Sequence, residues 1–393
     1  MITSKINVLM ITGVYLPQIN GAVRQCSQLI NSLKNLINYS ILTGTDDKSS
    51  KDIDYIDGVF VNRVLMPKQQ KIEYIKGIFK FYIQLIIMLR TTDLVHIHGF
   101  SKRNALVIAI SRLFNKKVII KMTSYGSDDP ISIKNTSYFL WKLFKCCHAY
   151  IGISPVFTIS YQAAGLSNDR YYFIPNGVDL EIYSPVLPKI KNALKIKYGF
   201  SKEDKVIVFI GHFSKEKRPL LLYKAWVKLC DSNLDTKIIF IGHTKNHFEV
   251  NEEIIEIIKQ DAIKRGRIQF IKFVETTQHV DEYLKIADIF VFTSIREGLP
   301  NVLLEAMACA LPCIASDLTN ITDWLIDDGV TGLLFCSDDP EVLAEKIKHC
   351  LIDNLLQQQL GLNARQFITR NLSSASTSHM VHNLYRRTAT LNH

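Results

Sequence analysis

Apolar, β-branched runs recur along the first half of the chain, and the segments between them have the apolar spacing of helices. These runs predict six strands, at 6–11, 38–43, 93–97, 117–123, 148–153 and 171–174. Strands that alternate with helices are typical of βαβ units, which assemble into a parallel sheet. The first half therefore predicts an α/β domain over residues 1–183.

The second half repeats this pattern. Apolar runs predict a helix over 219–230, helices within 340–371, and strands at 206–211, 237–242, 268–273, 288–293 and 312–315. These elements predict a second α/β domain over 206–373. The segment 184–205 is rich in Pro and Lys and lacks apolar periodicity, so we predict a linker there. A last helical stretch, 374–391, is a candidate to pack back on the first domain.

Length and composition agree with two domains. The chain has 393 residues, more than one core of ordinary size accommodates, and 47% of them are hydrophobic and 21% charged. Disordered chains have less apolar content and a denser charge imbalance. We therefore expect two globular domains, each with a substantial core.

The charge is unevenly distributed. The formal net charge is +10, and residues 1–185 carry 21 Lys and Arg against 12 Asp and Glu, whereas the remainder carries 26 against 25. A basic surface of this kind suits nucleic acid, anionic lipid or a phosphorylated ligand. No signature of a nucleic-acid-binding module accompanies it, so we expect no nucleic-acid partner.

The cysteines and the apolar runs bear on whether the protein is cytoplasmic, secreted or inserted in a membrane. The eight cysteines form no CxxC pair and no metal-ligand spacing with His, which predicts reduced thiols in a cytoplasmic protein without a secretion signal. The longest apolar run, 81–89, is shorter than the ~20 residues of a membrane span. Its lysine-flanked helix, 71–90, is either buried, which we favour, or lies on the inner face of the cytoplasmic membrane.

The clearest chemical pattern follows the predicted strand 288–293. A glycine turn, 296–301 (REGLPN), leads into an apolar helix that carries Glu305. A helix N-terminus binds phosphate through its amides and its positive dipole, and Gly298 lets the backbone approach a ligand closely. The spacing of Glu297 and Glu305 is uninformative alone, but its position at the carboxyl end of a strand predicts a ligand site.

Four segments together resemble the family 4 retaining glycosyltransferases of the GT-B fold. They are 174–179 (IPNGVD), 211–219 (GHFSKEKRP), 297–308 (EGLPNVLLEAMA) and 327–334 (DDGVTGLL). The resemblance covers nearly the whole chain and is weakest over 44–90. It implies two Rossmann-like domains whose parallel sheets face a central cleft, with the acceptor on the N-terminal domain and the sugar nucleotide on the C-terminal domain.

The resemblance implies roles for three residues of the donor site. Glu297 would contact hydroxyls of the donor sugar, Glu305 would bind the ribose, and Lys217 would neutralise the diphosphate. Transfer would proceed with retention, and the leaving diphosphate would help to deprotonate the acceptor. The protein would act mainly by electrostatic support of the departing diphosphate, so we expect no metal or other cofactor.

Further donor-site residues lie in loops at strand ends. The amides of 298–301 would hold the β-phosphate, the loop 17–21 would close over it, and the nucleobase would lie near the end of strand 268–273. The residues assigned in this way are Gly21, His212, Arg218, Phe273, Val274, Gly298, Leu299, Pro300 and Asn301.

Three positions depart from the family pattern. His212 stands where an Arg is common, so that diphosphate binding could depend on Arg218 or Arg296. Tyr125 stands where many members have a His that contacts the sugar. Ala310 replaces a usual glycine, a change that we expect to be harmless.

Other polar residues admit two interpretations. His98, at the end of a strand, is either a catalytic residue or a core histidine. Asp128 and Asp129, which precede Pro130, either contact the acceptor, as Tyr125 could, or cap a local helix. Asp52 and Asp54 form a DXD pair like that of metal-dependent transferases, but their surroundings predict a solvated loop and we expect no metal there.

The expected reaction is transfer of a hexose or N-acetylhexosamine from a UDP- or GDP-linked sugar to a glycan or lipid-linked acceptor, in synthesis of surface polysaccharide or glycolipid. One alternative is a sugar-nucleotide 2-epimerase of the same fold. Another is a non-catalytic member of the fold that binds a partner enzyme. An NAD enzyme is disfavoured, because no GxGxxG follows a strand.

Overall fold

The computed structural model describes residues 5–18, 20–244 and 250–390. They divide into two compact units, one containing the residues up to 177 together with those from 374 onward, the other containing 178–373. Ile19 of the predicted first loop and residue 391 of the predicted last helix lie outside the described residues.

The first unit is built on an eight-stranded sheet with the order β3-β4-β2-β1-β5-β6-β7-β8. All neighbouring strands are parallel except β3 and β4, which are antiparallel. The strands are β1 (Ile6–Thr12), β2 (Ile37–Thr45), β3 (Ile53–Ile56), β4 (Val59–Leu65), β5 (Leu94–His98), β6 (Lys117–Lys121), β7 (Ala149–Gly152) and β8 (Tyr171–Phe173). The helices are α1 (Gly21–Leu33), α2 (Lys71–Leu89), α3 (Lys102–Leu113), α4 (Pro130–Thr136), α5 (Tyr138–Phe144) and α6 (Pro155–Ala163).

The second unit contains a six-stranded, fully parallel sheet with the order β11-β10-β9-β12-β13-β14. Its strands are β9 (Val206–Ile210), β10 (Lys237–Ile241), β11 (Ile271–Val274), β12 (Ile289–Phe292), β13 (Cys313–Ser316) and β14 (Leu333–Phe335). Its helices are α7 (Pro188–Lys197), α8 (Pro219–Asp231), α9 (Glu252–Lys264), α10 (Val280–Ile286), α11 (Asn301–Ala308), α12 (Thr322–Leu325), α13 (Pro340–Ile352) and α14 (Asn354–Asn371). The last helix of the chain, α15 (Ser374–Ala389), belongs to the first unit.

The central strands are apolar because both faces of each sheet are covered. Every residue of β5, β6 and β12 is buried, and such continuous runs are typical of parallel sheets with helices on both faces. Aromatic side chains fill much of the second core, where Phe209, Phe213 and Phe240 lie within one cluster. The sequence therefore shows these strands as apolar runs rather than as an alternating pattern.

Three strands escaped prediction. β3 and β4 form an antiparallel hairpin at the sheet edge, and β3 has only four residues, of which Ile53 and Tyr55 are exposed. β14 has only three residues. The predicted solvated loop around Asp52 and Asp54 is therefore wrong in part, because Asp54 lies in β3 and pairs with Arg63 at 3.3 Å. Asp52 pairs with Lys80 at 2.6 Å.

The segment that we predicted as a linker contains a helix. α7 lies within 184–205, and two of its lysines bond to Asp288, just before β12. Lys191 Nζ is 2.7 Å from Oδ1 and Lys195 Nζ is 3.2 Å from Oδ2. The sequence concealed this helix because its contacts with the unit are ionic rather than apolar.

The C-terminal helix α15 packs against α1 in the first unit. Its Tyr385 is fully buried, and the hydroxyl lies 2.6 Å from Nδ1 of His96 in β5. Because β5 is a central strand, this contact holds α15 against the middle of the sheet.

Strand order reverses once in each sheet, between β1 and β5 in the first and between β9 and β12 in the second. In open parallel sheets, ligands bind at the carboxyl ends of the strands that flank such a point. The loops after β9 and β12 therefore have the position of a binding site. Among the helices of the described residues, none has both the length and the apolar content needed to cross a bilayer.

Candidate functional site

The loops that follow β9 and β12 are joined at the switch point of the second sheet. The hydroxyl of Thr293 donates to the carbonyls of Lys217, at 2.7 Å, and Arg218, at 3.1 Å. The amide of Ile295 donates to the carbonyl of Glu216 at 3.0 Å. Two segments about 80 residues apart in sequence are thereby held as one surface. Sequence reasoning assigned no role to Thr293, although a threonine directly after an apolar strand and before the glycine turn is visible in the sequence.

Lys217 and Glu297, the two residues predicted to contact opposite halves of a sugar nucleotide, bond to each other. Nζ of Lys217 lies 2.5 Å from Oε1 of Glu297, and the side chains are 24% and 15% exposed. Each charge neutralises the other in this structure. A ligand that takes either side chain must therefore compete with its partner.

Two other cations flank this pair. Arg218 has a left-handed φ of 55° just before α8, and its Nη2 lies 2.5 Å from Oδ1 of Asp338. Arg296 bonds to both carboxylate oxygens of Glu216, at 3.2 and 3.0 Å. Both acids are on the surface, where ion pairs are weak and exchange readily. His212, which follows β9, stacks on His243 with 5.5 Å between the ring centroids.

The helix α11 begins immediately after the glycine turn. Pro300 is its N-cap, and the carbonyl of Pro300 accepts from the amides of Leu303 and Leu304 at 3.0 and 3.3 Å. One expectation needs correction: Pro300 has no N–H group, so not every residue of 298–301 can donate an amide to a phosphate. The turn itself is buried from 298 to 300.

Glu305 lies one turn into α11 and is 6% exposed. This burial contradicts the alternative in which it is a surface glutamate paired along the helix. A buried carboxylate is costly unless polar groups surround it, so Glu305 marks a polar position on an otherwise apolar helix.

The C-terminus of α11 corrects the expectation for Ala310. The amide of Ala310 donates to the carbonyl of Met307 at 3.0 Å, and the amide of Leu311 donates to the carbonyl of Ala306 at 3.2 Å. These two bonds form a Schellman motif. In this arrangement Ala310 has a φ of +58°, a conformation that favours glycine. Ala310 is therefore a site of backbone strain rather than a neutral replacement.

The loops after β10 and β11 pack closely beside this surface. A Cβ on Gly242 would lie 2.1 Å from the carbonyl oxygen of Gly211, so only glycine fits there. Phe273 stacks on Phe240 in the core, with centroids 5.8 Å apart, and the carbonyl of Val274 accepts from the amide of Gly242 at 3.0 Å. The predicted contact of Phe273 with a nucleobase would therefore involve its backbone or the exposed edge of its ring.

The remaining predicted residues lie in the first unit. Gly21 is the first residue of α1, and the side chain of the N-cap Asn20 accepts from the amide of Val23 at 2.9 Å. This helix follows β1, a strand at the switch point of the first sheet. Tyr125 is partly exposed, and its ring contacts that of Phe157 edge-on.

His98 is buried, and Asp128 bonds within its own loop rather than at a helix end, because the N-cap of α4 is Asp129. His98 is 7% exposed, and burial, with His96 and Lys121 nearby, keeps its pKa well below the usual range, so the ring is neutral. Asp128 accepts from the amide and hydroxyl of Thr123 at 2.8 and 2.9 Å, and from the amide of the next residue at 2.7 Å. Burial raises the pKa of Asp128 to about 6. Both of its oxygens thus stabilise the 123–128 loop.

Metal-ligand types do not cluster in the part of the chain that the structure describes. There, no group of three or more His, Cys, Asp or Glu side chains is arranged to hold a metal ion. The positive charge at the switch point of the second sheet comes from Lys217, Arg218 and Arg296.

Two family models match the chain. The model of the glycosyl transferases group 1 matches residues 190–367, and that of Glycosyltransferase Family 4 matches residues 19–182. Together they cover most of the sequence, and they confirm the resemblance that the motifs indicated.

Curated relatives are about a quarter identical to the chain over the aligned residues. The N-acetyl-alpha-D-glucosaminyl L-malate synthase of Bacillus anthracis is 24% identical over 288 residues, 72% of this chain and 71% of that protein. The UDP-Gal:alpha-D-GlcNAc-diphosphoundecaprenol alpha-1,3-galactosyltransferase of Escherichia coli is 26% identical over 216 residues, 54% of this chain and 53% of that protein. Several further relatives are matched over only 50–58% of their length.

Solved structures share the fold. Anabaena HepE in complex with UDP and glucose matches with a TM-score of 0.76 at 15% identity, covering 97% of this chain and 100% of that chain. The prediction of a GT-B fold with two Rossmann-like, parallel-sheet domains is confirmed.

Proposed function

We propose, because this chain belongs to the family 4 glycosyltransferases, that it transfers a hexose or N-acetylhexosamine from a UDP- or GDP-linked sugar, with retention, to a glycan or lipid-linked acceptor. The observation that carries the proposal is the Lys217–Glu297 pair at the switch point of the second sheet, beside the N-terminus of α11. It brings together a cation for a diphosphate, a carboxylate for sugar hydroxyls and a helix end for a phosphate.

The pair suggests how donor binding is organised. A diphosphate would take Lys217, whose ammonium is a compact charge suited to phosphate. Glu297, released from Lys217, would then accept hydrogen bonds from the sugar. One ion pair is thus exchanged for two ligand contacts, on the phosphate and the sugar of the same molecule.

Catalysis would rest on support of the leaving diphosphate. Lys217, Arg218 and the amides at the start of α11 offer positive charge at fixed positions, and fixed charges need little reorganisation as the bond to the sugar breaks. In this proposal the leaving diphosphate takes part in deprotonating the acceptor, and no metal ion is needed. Glu305 would hold the ribose hydroxyls from within α11.

The exposed surface of the helix α2 suggests that the acceptor is linked to a lipid. One face of this helix, with Phe81 and Leu85, is buried, as we favoured from the sequence. The opposite face is apolar too, and it is exposed along a full stripe at helical spacing: Ile72, Ile75, Phe79, Ile83 and Ile87. An exposed apolar stripe beside lysines suits an anionic lipid surface, which is where a lipid-linked acceptor resides.

Activity is tested by incubating the purified full chain with radiolabelled UDP-glucose, UDP-N-acetylglucosamine and GDP-mannose, with and without total lipid extract as the acceptor source. Transfer of label into lipid or glycan, lost in Lys217→Ala, is the expected result. Conversion of the donor to its 2-epimer without acceptor would instead establish an epimerase. If neither UDP nor GDP binds in calorimetry, the non-catalytic alternative holds.

Membrane contact is tested separately by sedimentation with vesicles of phosphatidylcholine, with and without phosphatidylglycerol. We expect binding to the anionic vesicles, and its loss in Phe79→Glu/Ile83→Glu. The matched control is Leu355→Glu/Leu362→Glu, the same double change at exposed apolar residues of the second unit. Equal binding by all three proteins would refute the role of α2.

A further inference from the structure

A buried lysine without a counter-ion lies in the first unit. Lys121 ends β6 and is 8% exposed. Its side chain lines a cavity with a volume of about 20 Å³, between α1, α15 and the end of β7. Within residues 5–18, 20–244 and 250–390, its ammonium group has neither a hydrogen bond nor an ion pair with a protein group. A cation in this position is costly unless water or a ligand in the cavity compensates its charge.

The cavity wall combines apolar side chains with amide and hydroxyl side chains. The first turn of α15 contributes Ser374, Thr377 and Ser378. The amides of a first helical turn have no acceptor within the helix, and the helix dipole adds positive potential there. None of the residues that line the cavity is acidic.

Two amide side chains of α1 complete the wall. Gln25 Nε2 is committed to the carbonyl of Gly177 at 3.1 Å. Gln28 Nε2 is buried and has no hydrogen-bond acceptor in the described part of the chain. An ammonium group, a buried amide donor and a helix N-terminus therefore meet at one small space.

The other titratable groups close to Lys121 are neutral and cannot compensate its charge. Burial lowers the pKa of His96 to about 3 and that of His98 well below its usual range. Burial also raises the pKa of the Cys26 thiol to about 12. These three side chains carry no negative charge near neutral pH.

We propose that Lys121, Gln28 and the N-terminal turn of α15 form a binding site for one small inorganic anion of halide size. The centre of a water-sized molecule can occupy only about 20 Å³ there, which favours a compact anion over sulfate, phosphate or a nucleotide. An anion there accepts hydrogen bonds from Lys121 and Gln28 and neutralises the buried cation. Because its ligands come from β6, α1 and α15, the anion fastens the C-terminal helix to the sheet.

The test uses the full chain dialysed into chloride-free buffer. Sodium chloride, bromide, gluconate or sulfate is added at constant ionic strength, and the melting temperature is recorded. We expect a saturable rise with chloride and bromide, and none with gluconate or sulfate, because a ligand that binds only the folded state stabilises it. Lys121→Met should abolish the halide response.

The control variant is Lys117→Met, which removes another buried lysine from the opposite end of the same strand, away from the cavity. It should keep the halide response. If Lys121→Met does not fold, bromide-soaked crystals of the unaltered chain decide the matter: an anomalous peak beside Lys121 Nζ and Gln28 Nε2 supports the site. A water molecule at that position, or an equal halide response in Lys121→Met, overturns it.

Discussion

The ion pair between Lys217 and Glu297 leads to opposite effects of its two charges on nucleotide binding. Glu297 competes with a diphosphate for Lys217, because their charged atoms are 2.5 Å apart and both side chains are partly exposed. Glu297→Gln removes this competition while keeping the shape of the side chain. We therefore expect free UDP or GDP to bind Glu297→Gln more tightly than it binds the unaltered chain, not less.

The size of each effect follows from the exposure of the pair. Ion pairs in contact with solvent contribute up to about 1 kcal/mol, so release of Lys217 should tighten nucleoside diphosphate binding by up to about fivefold. Lys217→Ala removes a charge-assisted hydrogen bond of about 1.5–3 kcal/mol and should weaken binding by about 10- to 100-fold. Turnover should fall in both variants, since Glu297→Gln also removes the carboxylate proposed to hold the sugar.

Calorimetry with UDP and GDP measures the affinities, and initial rates with the matching sugar nucleotide measure turnover. Glu216→Gln is the control, because Glu216 lies next to Lys217 in the loop after β9 and pairs with Arg296. This variant should change UDP affinity less than Lys217→Ala does. A loss of affinity in Glu297→Gln as large as that in Lys217→Ala would show that Glu297 contacts the nucleotide, and the proposed division of roles would be wrong.

Three further results are expected. Glu305→Gln should weaken UDP by about 1.5–3 kcal/mol but leave 2′,3′-dideoxy-UDP unchanged, by calorimetry; equal losses would place Glu305 away from the ribose. Ala310→Gly should raise the free energy of unfolding by about 0.5–1 kcal/mol in urea titration, since it relieves the positive φ, and a decrease would contradict the strain. Burial lowers the pKa of Lys121 to about 8, below its unfolded value, so in halide-free buffer the folded state should gain stability as pH rises from about 8 to about 10. That gain should be smaller in Lys121→Met, and an unchanged pH dependence would argue against a buried ammonium.

The sequence predicted those parts of the fold that depend on local pattern. The central strands are continuous apolar runs, and the turn before α11 combines glycine, proline and a helix start within 297–301, so both were visible. β3 was not visible because an edge strand has exposed residues, and α7 was not because its lysines bond to a residue about 95 positions away.

The candidate site was predictable in its residues but not in its contacts. Motifs placed Lys217 and Glu297 at strand ends, but the 80 residues between them hide the bond that joins them. For Asp128 the sequence left two interpretations, and only the folded loop shows that both carboxylate oxygens are used by neighbouring backbone and hydroxyl groups. Long-range partners of polar side chains are set by topology, which composition and spacing do not encode.

The excess positive charge of the first half of the chain comes from both buried and exposed side chains, and only the exposed ones can contact a partner. Arg63 and Lys121 are buried, so they add to the net charge without forming a surface for a partner. Lys76 and Lys80 are exposed on α2, beside the apolar stripe, although acids pair with both. Interaction with an anionic surface therefore depends on α2 more than on the net charge, because an interior cation cannot approach the lipid headgroups. A halide bound at Lys121 would lower the net charge by one without weakening membrane contact, so the two proposals can succeed or fail independently.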